Sequence, residues 1–218
     1  MKTFNLKIKL LSPSLVGSGE GYGATIDSDI IFDEIGLPYV PAKRIKGCLL
    51  DSANEINEMF GRAGVDFTLP VTEVFGEAGT GNTAPVCFSN LFIEEYRENK
   101  AWLEYYLTIE KYRSILSKNS ILETFAEIRQ QTRISDDGVA FDGSLRTSRL
   151  MRKGLPFIGD VSVEDNDGKI REVLVFACMN FRNFGTSRNR GFGEIKCSLM
   201  DGSHEISVQE RLEDLCIS

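Results

Sequence analysis

The stretch from residue 3 to residue 11 alternates between polar and apolar side chains, and this pattern constrains the fold more than any other feature. Phe4, Leu6, Ile8 and Leu10 fall on one face, with lysines on the other. A period of two is typical of a half-buried β-strand. The N-terminal stretch is therefore predicted to be a strand of a sheet, and it lacks the apolar core of a signal peptide.

A helix is predicted from about Ala42 to Phe60, because apolar residues recur at helical spacing and Gly61 ends the pattern. Two more helical pieces are predicted between Asn99 and Arg129. The polar turn at 164–168 is expected to join two strands as a hairpin. Strands interrupted by helices indicate an α+β fold, with a ferredoxin-like βαββαβ core as the specific expectation. The later strands are predicted at 85–94, 155–163, 171–181 and 193–200.

Composition describes a globular chain with an acidic surface. The 218 residues are 42% hydrophobic and 26% charged, with a net charge of -7. This balance favours one domain over residues 1–218 and excludes a uniformly basic polyanion binder, although it permits a local basic site. Five scattered cysteines without a CxxC pair favour a reduced, cytoplasmic protein without a zinc site. A lone His204 argues against a histidine triad, and no apolar run reaches the ~18 residues of a membrane span.

Cations gather in two zones without acidic residues, 143–159 and 173–193. The second zone ends in a glycine-rich loop, whose backbone amides suit an anion and whose arginines suit phosphate. A tight turn with solvated arginines is the open alternative. Phe184 and Phe192 would either stack on bases or anchor the loop.

A third basic cluster opens the predicted helix at 42–60. Lys43, Arg44 and Lys46 stand where helix amides and the macrodipole attract anions, although first turns usually favour acidic residues. These three cations would either bind phosphate or extend their side chains over the edge of the sheet. The glycines at 17–23 match neither dinucleotide nor P-loop spacing.

Taken together, these motifs resemble the RAMP superfamily over nearly the whole chain. More closely, they are similar to the repeating backbone subunit of type III CRISPR effector complexes, which serve antiviral defence. The pairing of LPYVPAKRIKG with a C-terminal glycine-rich loop is the specific part of the signal. The matching stretches are Gly17–Gly19, Gly23–Asp27, Gly36–Gly47, Phe75–Gly76, Ser89–Asn90 and Gly185–Gly193.

The resemblance implies an RRM-like core with a helical lid insert at about 95–131 and a thumb-like hairpin at about 132–154. It also implies partners: a CRISPR guide RNA, a target RNA, copies of the chain itself and other type III effector subunits. Val139 and Phe141 would form the wedge that the thumb inserts into the guide–target duplex. The residues that would bind RNA are Lys43, Arg44, Lys46, Arg133, Arg146, Arg149, Ser187, Arg188, Asn189 and Arg190.

In catalytic members of the family, an aspartate in the first glycine-rich loop is required for metal-dependent cleavage of target RNA. Asp27 matches that position with one extra residue before it, and Asp29 is a neighbouring candidate. The resemblance therefore implies an endoribonuclease, a hydrolase class, that acts only when assembled on guide RNA and that uses Mg²⁺ or another divalent cation. The product would be a 2′,3′-cyclic phosphate.

Three other functions stay open. A non-catalytic RAMP subunit would cap or nucleate the complex with the same loops. A guide-processing endoribonuclease is disfavoured by the single His204 and the single C-terminal glycine-rich loop. A small-molecule phosphate-binding enzyme is the candidate from outside the family.

Overall fold

The computed structural model describes residues 1–17, 25–77, 84–164, 168–187 and 190–207. Helices and antiparallel strands occur together, which confirms the predicted α+β class. The described strands are β1 (Lys2–Leu10), β2 (Tyr39–Val40), β3 (Val86–Phe88), β4 (Leu91–Ile93), β5 (Ala126–Gln131), β6 (Arg146–Met151), β7 (Pro156–Val163), β8 (Ile195–Asp201) and β9 (His204–Glu205). The described helices are α1 (Ala42–Ala63), α2 (Val71–Phe75), α3 (Tyr96–Thr108), α4 (Lys118–Phe125) and α5 (Gly168–Asn180), with a 3-10 turn at Glu110–Tyr112.

The main sheet is antiparallel, and β1 lies near its centre. The strand order is β2-β4-β7-β1-β8-β9, and β3 also pairs with β7. In the register of β1, Leu6 lies opposite Gly159 of β7 and Leu199 of β8. Without the insert between β4 and β7, the described elements follow the order β1-β2-α1-α2-β3-β4-β7-α5-β8-β9.

Helices α1 and α5 pack against each other, and α5 also packs against β8. The alternation in β1 places Phe4, Leu6, Ile8 and Leu10 in the core, as predicted. The helical spacing in α1 buries Ile45, Leu49, Ala53 and Ile56 in the same core. Within the described residues, no helix combines the length and apolar character needed to cross a membrane.

The strand predicted at 171–181 is wrong, because this stretch belongs to helix α5. Nearly the whole circumference of the helix is buried, from Val173 through Cys178. A continuous apolar run carries no helical periodicity, so its pattern cannot separate a buried helix from a buried strand. The segment at 164–168 therefore does not join two strands, and its residues 165–167 lie outside the described residues.

The insert between β4 and β7 carries α3, α4 and a separate two-stranded sheet. The helical insert was expected to extend to residue 131, but residues 126–131 form β5 instead. β5 pairs with β6 from Ala126 opposite Met151 to Gln131 opposite Arg146. Pairing with β6 satisfies the backbone N–H and C=O groups of β5, whereas an unpaired final helical turn would leave them to solvent. The two strands and their connection at residues 132–145 form the β5–β6 hairpin.

Candidate functional site

A cavity of about 200 Å³ lies where the two ends of the first glycine-rich loop, at Gly17 and Asp27, meet α1 and the second glycine-rich loop. Asp27, Arg44 and Thr186 line it, one from each of these three segments. We call it the loop cavity. The Arg44 guanidinium donates from Nη2 to the Gly17 carbonyl oxygen at 2.9 Å, which holds α1 against the first loop. Among the described residues, Lys43 and Lys46 do not line this cavity.

The start of α1 has no acidic residue in its first turn and no side-chain cap from Pro41. The Ala42 N–H instead donates to Asn90 Oδ1 at 2.9 Å, from the turn between β3 and β4. Lys43 and Arg44 are exposed there, and Lys46 is half-buried. The helix start is therefore cationic and lies at the rim of the loop cavity.

The second glycine-rich loop is closed at its base by backbone contacts. The Phe184 N–H donates to the Gly193 carbonyl at 2.7 Å, and the Thr186 N–H donates to the Leu15 carbonyl at 3.0 Å. Phe184 is 1% exposed, so it anchors the loop in the core and does not present its ring to a base. Phe192, the other aromatic residue of the loop, also packs against the core.

The tip of this loop is only partly described. Ser187 is exposed and has a left-handed backbone with φ +59°, which is uncommon for a residue other than glycine. Its carbonyl accepts from the Arg190 N–H at 2.9 Å. The predicted RNA-binding residues Arg188 and Asn189 lie outside the described residues.

Asp27 is held against β6. Its Oδ2 accepts from the Thr147 N–H at 2.7 Å, and its Oδ1 lies 3.4 Å from Nη1 of Arg146. The Thr147 N–H and then the Arg146 guanidinium hold the pKa of the Asp27 carboxyl below its usual value. The side chain is 42% exposed, so an ionised carboxylate faces the loop cavity.

Asp29 has a different environment from Asp27, because its side chain is only 5% exposed. Its Oδ2 accepts from Nη1 of Arg149 at 2.7 Å, and its Oδ1 accepts from the Ile30 N–H at 2.8 Å. Arg149, predicted to bind RNA, is itself 16% exposed and directs its guanidinium to Asp29.

A larger cleft of about 960 Å³ lies beside the β5–β6 hairpin, and we call it the hairpin cleft. Three predicted RNA-binding residues line it together, Arg133, Arg146 and Arg190. The guanidinium of Arg133 lies 4.8 Å from the ring centre of Phe141, which gives the cleft an aromatic wall. Because Arg146 also contacts Asp27, the hairpin cleft borders the loop cavity.

The two residues predicted as a wedge differ in position. Phe141 lines the hairpin cleft and is 46% exposed, whereas Val139 does not line the cleft and is 66% exposed. Both are apolar side chains that the hairpin leaves facing solvent. Exposed apolar groups on a hairpin are suited to contact with a partner.

The donor set for a divalent cation is small. Among the described residues, no three His, Cys, Asp or Glu side chains cluster in a way that could hold a metal ion. Mg²⁺ is commonly held by one or two carboxylates together with substrate phosphates. Asp27 fits that arrangement as a single ligand, whereas the Asp29 carboxylate is already paired with the Arg149 guanidinium.

The family of the chain follows from comparison with known proteins. A family model described as the RAMP superfamily matches residues 7–196. A chain in the cryo-EM structure of type III-B Cmr-beta bound to cognate target RNA has a TM-score of 0.66 at 12% identity, over 91% of this chain and 97% of that chain. A chain of the apo state of type III-B Cmr-beta has a TM-score of 0.60 at 13% identity, over 90% of this chain and 96% of that chain.

A search of curated proteins finds no significant match. At 12–13% identity, the similarity to the Cmr-beta chains establishes a shared fold. The family model covers most of the chain, from β1 to β8, and includes both glycine-rich stretches and the insert between them. The predicted family is therefore confirmed: the chain belongs to the RAMP superfamily.

Proposed function

We propose that this protein is a guide-RNA-binding backbone subunit of a type III CRISPR ribonucleoprotein. The observation that carries the proposal is the loop cavity, where Arg44, Thr186 and Asp27 meet from three distant parts of the chain. The adjoining hairpin cleft adds three arginines. Guanidinium groups and loop amides are suited to the phosphates of a single RNA strand. The shared fold with chains of type III-B Cmr-beta supports the same assignment.

The proposal includes cleavage of the paired target RNA at regular intervals. The 2′-hydroxyl would lose its proton to solvent as its oxygen attacks the adjacent phosphorus, and the 5′-oxygen would leave with a proton taken from solvent to give a 2′,3′-cyclic phosphate. Because its pKa is lowered, the Asp27 carboxylate would be a poor proton acceptor and would act by orienting the groups that react. A divalent cation held by Asp27 and RNA phosphates would supply neutralisation of the developing negative charge.

Replacing Arg44 by alanine is expected to weaken binding of single-stranded RNA about 10- to 100-fold, the usual loss for a charge-assisted hydrogen bond. The dependence of log K on log salt should also become shallower by about 0.7 for each phosphate that is no longer neutralised. The measurement is a titration of the RNA-free full chain with single-stranded RNA at several salt concentrations.

The matched control for Arg44 is Arg62→Ala, at the other end of the same helix, where Arg62 forms an exposed ion pair with Glu58. This control should leave RNA affinity and its salt dependence unchanged. Equal losses in the two variants would contradict a phosphate site at the start of α1.

The second candidate function is a non-catalytic subunit of the same kind of complex. It is favoured by the contacts of Asp27 with Thr147 and Arg146, which would stabilise the hairpin whether or not RNA is cut. Loss or persistence of the cuts after Asp27→Ala separates the two functions, since both require RNA binding.

A further inference from the structure

The segment that carries Asp27 is fastened to the hairpin by more than the contacts of Asp27 itself. The Asp27 N–H donates to the Thr147 carbonyl at 2.9 Å, and the Arg149 N–H donates to the Ser28 carbonyl at 3.0 Å. Ser28 also forms a parallel bridge with Ser148. Residues 27–29 therefore lie along one edge of β6, while β5 pairs with β6 along the other.

Asp29 and Arg149 close this arrangement in the interior. Their carboxylate and guanidinium meet at 2.7 Å, with side chains 5% and 16% exposed. The Ile30 N–H donates to the second carboxylate oxygen, so both oxygens of Asp29 have a partner. This buried ion pair favours a single placement of residues 27–29 against β6, because separating the two charges would leave one of them buried and unpaired.

The Asp29–Arg149 pair affects the position of Asp27, which lies two residues away in the sequence. Its Oδ2 depends on the Thr147 N–H, which lies in the same strand as Arg149. A shift of the 27–29 segment along β6 would break that hydrogen bond and move the carboxylate within the loop cavity. Misplacement of a reacting group by about 1 Å can cost roughly 100-fold in rate.

We propose that the Asp29–Arg149 pair is a positioning pair that holds the Asp27 carboxylate in the loop cavity, and that Arg149 serves this role instead of binding RNA. The proposal rests on the proposed cleavage by Asp27. It assigns different roles to two arginines of the same strand: Arg146 lines the hairpin cleft, whereas Arg149 acts through Asp29.

The test uses complexes assembled on guide RNA with wild-type, Asp29→Asn or Arg149→Lys subunits. Asp29→Asn should lower the single-turnover rate of target cleavage roughly 100-fold, with unchanged affinity for target RNA. Arg149→Lys keeps the charge but loses the guanidinium geometry, so it should give a smaller loss of rate. The double variant Asp27→Ala, Asp29→Asn should be no slower than Asp27→Ala alone, because the pair acts only through Asp27.

Glu127→Gln is the matched control. It removes an ion pair with Arg129 from β5, the strand of the same hairpin that lies away from residues 27–29. Its cleavage rate should equal that of the wild type. A similar loss in Glu127→Gln and Asp29→Asn would show a general response of the hairpin and would overturn the proposal.

A second measurement is independent of cleavage. Amide NMR of the isolated full chain follows the Thr147 N–H, which donates to Asp27 Oδ2 at 2.7 Å. In Asp29→Asn this N–H should exchange with solvent faster and its proton resonance should move upfield, because the hydrogen bond is lost. An unmoved Thr147 resonance overturns the positioning role, whether or not the cleavage rate falls. If Asp29→Asn does not fold, Arg149→Lys decides by the same two readouts. If Asp27→Ala still cuts, the cleavage proposal fails, and the Thr147 resonance decides the positioning role separately.

Discussion

Replacing Asp27 by alanine is expected to abolish the regular cuts in target RNA while the complex still binds both RNA strands. The single-turnover rate should fall by at least about 100-fold, since a group that orients the reacting atoms is lost. RNA affinity should be unchanged or slightly higher, because the variant removes a negative charge that faces the loop cavity. Gel analysis of the cleaved target and a parallel binding titration measure both effects.

Asp66→Ala is the matched control for the loss of one carboxylate. Asp66 is exposed just beyond the C-terminal end of α1, and a helix of 22 residues places it roughly 30 Å from the start of α1. This variant should cut as the wild type does. Regular cuts that persist in Asp27→Ala would contradict cleavage through Asp27.

Replacing Gly185 by alanine is expected to cost about 3 kcal/mol or more of the free energy of unfolding, because strain and a backbone clash add. Gly185 has φ +94°, and a β-carbon there would lie 2.4 Å from the Leu15 carbonyl oxygen. That oxygen accepts the hydrogen bond of Thr186, so it cannot move without opening the base of the second glycine-rich loop. The same variant should therefore lose RNA affinity as well as stability.

Gly191→Ala separates the clash from the strain. Gly191 lies in the same loop with φ +78°, but a β-carbon there would meet nothing within 4 Å. Only the backbone strain is left, which is about 1–2 kcal/mol for an ordinary residue in this conformation. Chemical denaturation of the two variants measures the difference. Equal losses would contradict the close approach of the second glycine-rich loop to Leu15.

The elements predicted well are those with one buried face. β1 and α1 each place apolar residues at the period of their own secondary structure, so the pattern shows without knowledge of the partner. Because α5 is buried on nearly all sides, its apolar residues form a continuous run without the helical period that would have identified it. The sequence places β5 at the end of the predicted helical insert, because half of its side chains face solvent and its identity as a strand depends on pairing with β6.

The candidate site divides in the same way. Arg44, Asp27 and the second glycine-rich loop were identified by local motifs and by their resemblance to a family. Pro41 has no side chain that can cap α1, so the sequence indicates that the cap comes from another part of the chain. It does not identify Asn90 as the residue that supplies the cap. The partnership of Asp29 with Arg149 had no signal, since the two residues are 120 positions apart.

Residue order alone determined the class of fold, the start of the first helix and the chemical groups available to bind phosphate, because each depends on neighbours within a few positions. Tertiary structure decided which cations face a shared cavity and which carboxylate stays accessible. Burial and pairing made that choice: Asp29 also lines the loop cavity, but Arg149 neutralises its charge in the interior, while Arg44 and Asp27 stay exposed there.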